Sequence, residues 1–202
     1  MAGETQNYHE TRDPYFQSGD FGAVSPIATS ISMVPVLRVP ATALAFPAGY
    51  WGKPGRRWWI RMFGRITTAA TPGNFTFEIR HQTGTPTDAG GTILATSAAT
   101  AATASKTAIS WFMECVVESR GDASTFVPTA SPLFAYGCLW VDSIALLWSA
   151  ANANGPLMIP ANTAAAVNVD TTLAGTIHID AKRSGSTAEA ITVHDLAVNA
   201  MT

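Results

Sequence analysis

Charge is what this chain has least of. Only 13% of its 202 residues are Asp, Glu, Lys or Arg, about half the share in an ordinary soluble domain. Lysine occurs only at Lys53, Lys106 and Lys182, and between residues 123 and 169 the single ionised side chain is Asp142. With 47% hydrophobic residues and a mean hydropathy of +0.15, the chain predicts a surface partly covered by neighbours. Cysteine is scarce too. Cys115 and Cys138 are too few for a disulfide scaffold and lack metal-ligand spacing. They read as two small buried hydrophobes, with a cross-strand disulfide as the geometric alternative.

Long uninterrupted apolar runs are missing as well. The best membrane candidate, residues 133–150, carries Asp142 near its middle, at a cost of about 2.5–3.5 kcal/mol for insertion. It also contains Gly137, Ser143 and Ser149 and has no basic anchors beside it, so no membrane partner is expected. The first twenty residues are polar, without an apolar stretch of signal-peptide type. No G-x-S-x-G, H-E-x-x-H or phosphate-binding loop occurs. Glu114 and Glu118 share a strand face, but four residues of extended chain set them roughly 13 Å apart, beyond the roughly 5–9.5 Å of a glycosidase pair. No catalytic residue, no cofactor and no metal are therefore expected. The nearest approach to a metal set is His178, His194 and Asp180, if the two histidines face each other across a hairpin; outward polar positions explain them more simply. Arg120-Gly121-Asp122 spells an adhesion tripeptide, yet all three are ordinary turn residues.

Acids are also distributed unevenly. From Phe21 to Phe77 there is none, while Arg38, Lys53, Arg56, Arg57, Arg61 and Arg65 give that block a charge of +6 inside a chain whose total is −2. Aromatics crowd into the same place, from Tyr50 and Trp51 through Trp58, Trp59 and Phe63. Arginine with large rings is the composition of an interface core. Nucleic acid is the other partner for positive charge, but the net charge is negative, the isoelectric point is near 6.0 and no RNA-binding signature is present, so nucleic acid is not expected.

Period-two patterns recur between turn signals, and no long amphipathic helix appears, so the chain predicts an all-β fold. Strands are expected at residues 32–39, 58–66, 75–79, 92–97, 109–118, 133–141, 143–148, 165–169, 177–180 and 191–194. The last two read as a C-terminal hairpin around Lys182-Arg183-Ser184-Gly185. The apolar parity shifts from Val193 to Leu196 and Val198, which predicts a bulge or strand end near Asp195. Eight or more strands suit a jelly-roll-like antiparallel β-sandwich. It spans residues 31–202, preceded by an extended N-terminal arm, residues 1–30, that is polar, aromatic and aperiodic. The Ala-rich segment 95–108 fits either a short helix or a strand end with a small-residue connection.

Along the basic strand, Trp58, Ile60, Met62 and Ile66 point one way, and Trp59, Arg61, Phe63 and Arg65 the other. The first set belongs in the core. The second is expected to meet another chain or the arm, its arginines paired with carboxylates or lying on rings. The alternative is a loop of the same chain over Trp59 and Phe63. Tyr15 and Phe16 of the arm join Trp59, Arg61, Phe63 and Arg65 as candidate oligomer or capsid contacts.

The runs Gly55-Arg56-Arg57-Trp58-Trp59-Ile60-Arg61, Phe63-Gly64-Arg65-Ile66-Thr67-Thr68 and Pro72-Gly73-Asn74-Phe75-Thr76-Phe77-Glu78-Ile79-Arg80 share a recognisable texture. With the Ala/Thr/Ser-rich middle and the ending Ile191-Thr192-Val193-His194-Asp195-Leu196, the chain resembles the jelly-roll structural proteins of tailed bacteriophage virions. That resemblance implies a non-enzymatic virion protein, foremost a capsid decoration or cement protein. Such a protein forms a homotrimer and binds the major capsid protein or another virion protein, with the arm as a tether. It would be made in the host cytoplasm and reside in the virion. Other proteins of that architecture imply a tail or fibre component binding host-surface glycans.

Overall fold

The computed structural model describes residues 14–16, 34–35, 44–84, 90–120, 127–141, 156–161, 165–183 and 190–201. Among the described residues thirteen strands run in chain order: β1 (Pro14–Phe16), β2 (Val34–Pro35), β3 (Ala45–Phe46), β4 (Arg57–Thr67), β5 (Asn74–Thr83), β6 (Thr92–Thr96), β7 (Thr100–Ala101), β8 (Ile109–Ser119), β9 (Ser131–Val141), β10 (Leu157–Ile159), β11 (Val167–Val169), β12 (Gly175–Arg183) and β13 (Ala190–Met201). They form two antiparallel sheets. Sheet A has the order β1-β13-β4-β8-β9-β10 with β11 also on β9; sheet B has the order β2-β12-β5-β6 with β3 on β12 and β7 on β5.

Along the chain the strands pass back and forth between the sheets, so that the quartet β1-β13-β4-β8 opposes the quartet β2-β12-β5-β6. This interleaving is the jelly-roll path. Strands β9, β10 and β11 are an insertion between β8 and β12, and they widen sheet A alone.

Alternation places the core between the layers. On β4, Trp58, Ile60, Met62 and Ile66 are buried, as the period predicts; so are Phe75, Phe77 and Ile79 on β5 and Ile177, Ile179 and Ala181 on β12. On β13 the pairing register shifts between Val193 and Asp195. The bulge there rotates the strand by one position, so that Leu196 and Val198 reach the core after Ile191 and Val193. The Ala-rich segment is no helix: β6 and β7 occupy its start, and Ser105 and Ala108 have positive φ. Residues 143–148 and most of the segment 1–30 lie outside the described residues, although β1 falls within that segment and pairs with β13.

The expected C-terminal hairpin does not form. β12 pairs with β5 in sheet B and β13 with β4 in sheet A, because the jelly-roll path sends the chain across the sandwich between them. His178 and His194 therefore sit in different sheets, and the two-His cluster with Asp180 is not assembled. His178 and Asp180 are not outward solvated positions either. On the far face of sheet B, Thr76, Glu78, Arg80, Thr176, His178 and Asp180 are all buried. Arg80 pairs with Glu78 at 2.6 Å and approaches Asp180 at 3.5 Å, and the hydroxyl of Thr176 lies 2.5 Å from His178 Nε2. Charges withdrawn from water require such partners. The cysteines do not pair. Cys115 opposes Gly137 and Cys138 opposes Glu114 on adjacent strands, so their side chains project from opposite faces and both thiols are free. Cys115 is buried in the core, and burial pushes its thiol far above its ordinary pKa; Cys138 is only partly buried, on the outer face.

One end of the core is aromatic. Trp58 Nε1 donates to Tyr50 Oη at 2.8 Å, and the Trp58 ring lies within 5.3 Å of Trp51, 5.5 Å of Tyr50 and 6.1 Å of Phe46, centroid to centroid. His81 stacks on Phe46 at 5.3 Å. Burial there lowers the His81 pKa from 6.5 to about 4, so the folded protein holds this imidazole neutral. As pH falls from about 6.5 to about 4 the unfolded chain takes up the proton and the fold does not, so stability drops over that window by about 3 kcal/mol. Above pH 6.5 the contribution is complete and constant. Urea unfolding at pH 7 and pH 4.5 measures the loss, and His81→Phe is expected to remove most of the difference between the two pH values.

Candidate interaction face

The outward surface of sheet A is built by every second residue of its strands. Register sets them in rows across the sheet. Arg57, Glu118 and Phe134 form one row; Trp59, Val116 and Tyr136 the next; then Ala197, Arg61, Glu114, Cys138 and Met158; and then Asp195, Phe63, Phe112 and Trp140. Phe63, Trp140 and Met158 are 41%, 47% and 55% exposed. Large side chains this open, clustered on one face, make it the candidate interaction surface.

The basic residues of this face find partners within the chain. The Arg61 guanidinium carbon lies 3.6 Å from the centroid of the Trp59 ring, and Arg61 Nε is 3.6 Å from the Glu114 carboxylate. Arg57 donates from Nε to Glu118 at 3.0 Å and approaches the same oxygen from Nη2 at 2.8 Å. Arg120 pairs with the other Glu118 oxygen and covers the Phe134 ring at 4.7 Å. Burial pushes the Glu118 carboxyl up, but the bonds from Arg120 and Arg57 outweigh it and hold the group below its ordinary pKa. Arg65 Nη1 donates to the Ala108 carbonyl at 3.1 Å. The two glutamates of β8 on this face are thus occupied by arginine, which suits structural pairing better than proton transfer.

Of the six residues chosen from sequence, Trp59, Arg61, Phe63 and Arg65 lie together on this face, and Tyr15 and Phe16 lie on β1 at the β13 edge of the same sheet, where Phe16 pairs with Val198. Sequence reasoning missed Phe112, Val116, Phe134, Tyr136, Trp140 and Met158. Their signal was present: β8 and β9 are apolar at both parities, reading Trp111-Phe112-Met113 and Leu139-Trp140-Val141, and a strand with one solvated face would alternate. Among the described residues, no three His, Cys, Asp or Glu side chains are grouped to hold a metal, and no helix is long and apolar enough to cross a membrane. No protein-family model matches the chain, and no similar curated protein is found.

Proposed function

We propose that this chain is a non-enzymatic virion structural protein of the head-decoration kind, which self-associates and binds the shell of a tailed phage. The outer face of sheet A is its assembly surface. One observation carries the reading: a sheet face on a jelly roll exposes Phe63, Trp140 and Met158 while its arginines are held on rings and carboxylates. Held arginines and open rings lose little conformational freedom on docking. The scarcity of charge over residues 123–169 supports the same conclusion, since it leaves the β9–β10 half of the face without solvating groups. Many copies arrayed on one shell gain avidity from contacts that are individually weak.

Replacing Trp59 and Arg61 together with alanine is expected to abolish self-association and co-sedimentation with empty capsids, with the β-sheet circular dichroism intact. A double variant that still pellets with shells at wild-type stoichiometry overturns this reading. The row of open rings from Phe63 to Trp140 supports a second reading, a tail or fibre component stacking host-surface glycans on that shelf. Retention on immobilised host glycans without saturable shell binding would decide for it.

A further inference from the structure

The outward rows of sheet A complement themselves, and from this we infer that the face packs against the same face of a second copy of the chain, about a two-fold axis parallel to the strands along β8. This rests on the reading of the face as the assembly surface, and it makes a pair, rather than the trimer implied by resemblance, the unit of assembly. β4 presents Arg57, Trp59, Arg61 and Phe63; β9, two strands away, presents Phe134, Tyr136, Cys138 and Trp140 at the same levels and no charge. An axis along β8 lays β4 of one copy over β9 of the other. Phe63 then meets Trp140 and Trp59 meets Tyr136, so rings meet rings. Ala197 on β13 meets Met158 on β10, and Phe112 and Val116 meet their own equivalents. The glutamates of β8 approach one another, but each is neutralised within its own chain, Glu118 by Arg57 and Arg120 and Glu114 by Arg61. An axis across the strands would instead stack β4 on β4 and β9 on β9, so that the arginine-bearing strand would face itself and forgo the ring partners on β9.

The extent of the face fits a stable pair. Five strands side by side, three of them 11 residues long, cover roughly 800 Å², the share each partner contributes to a standard interface. Two twisted sheets facing each other in this way pack as the layers of a sandwich do.

Light scattering and sedimentation equilibrium on the full chain, without shells, test the pairing. The wild type is expected at twice the chain mass. Phe63→Glu and Trp140→Glu, each at an open position, are expected to weaken pairing at least about 30-fold while circular dichroism is unchanged. Leu173→Glu, an exposed position outside the rows, leaves pairing as it was. Because positions 63 and 140 face each other only between copies stacked along β8, Phe63→Glu combined with Trp140→Lys in one chain should regain much of what either charge alone removes. A wild type that stays single at high concentration, or pairs that survive both single substitutions, overturns the inference. So does a single chain that immobilised glycans retain through Trp140. Pairing in the expected pattern without shell binding leaves the inference standing and removes the head-decoration reading.

Discussion

Trp58→Ala is expected to cost about 3–5 kcal/mol of stability, the range for truncating a buried large aromatic, whereas Trp59→Ala, one residue later, costs about 1 kcal/mol or less. The difference comes from the pleat. Trp58 is fully buried and packs on Phe46, Tyr50 and Trp51, with its indole N–H on the Tyr50 hydroxyl. Trp59 lies on the outer face with the Arg61 guanidinium over its ring. Its truncation forfeits that contact and little core volume. Urea midpoints at neutral pH separate the two variants. Equal losses would mean that β4 does not sit with its even positions inward, and the interaction face would lose its foundation. Under the assembly reading the ranking inverts for self-association, where Trp59→Ala is the damaging change of the two among chains that remain folded.

Gly64→Val is expected to remove about 3 kcal/mol or more, lowering the thermal midpoint by roughly 6–12 °C for a chain of this length. Gly64 occupies a core-facing position of β4 opposite Trp111 of β8, and the Trp111 ring lies across it. A Cβ there would come within 2.8 Å of two Trp111 ring atoms and run into the Thr192 carbonyl oxygen on β13. Neither neighbour can yield cheaply, one being a fully buried indole and the other backbone beside the β13 bulge. Gly64→Ala should show the same effect at smaller amplitude, since it adds only the first of the clashing carbons. A Gly64→Val protein of wild-type midpoint would place Trp111 elsewhere. Glycine within a strand ordinarily weakens it; here the large ring of the neighbouring strand fills the space that the missing side chain leaves.

Much of the site was legible one strand at a time. The alternation Trp58-Trp59-Ile60-Arg61-Met62-Phe63 states which residues enter the core and which leave it, because side-chain direction in an extended chain is a local property. The same is true of the parity shift near Asp195, which is the bulge itself. What stayed illegible was which segments lie beside β4. Glu118, the partner of Arg57, is 61 residues away, and Trp140 reaches the row of Phe63 only through the registers of β4 with β8 and of β8 with β9. The buried ionic face of sheet B escaped for a related reason. His178 and Asp180 read as outward polar positions, and nothing local announces that the far face of a sheet is withdrawn from water.

Short-range periodicity and the scarcity of charge are enough to require a β-sandwich with an unusually greasy, arginine-bearing strand. Strand pairing across long separations then decided three things: that β12 and β13 part into opposite sheets, that the acids of β8 neutralise the arginines of β4, and that rings from three strands gather on one face. The physical reason is entropic and geometric at once. Each such pairing closes a long loop at a cost that rises only slowly with its length, so many partners are nearly equivalent until the packing of both layers selects one.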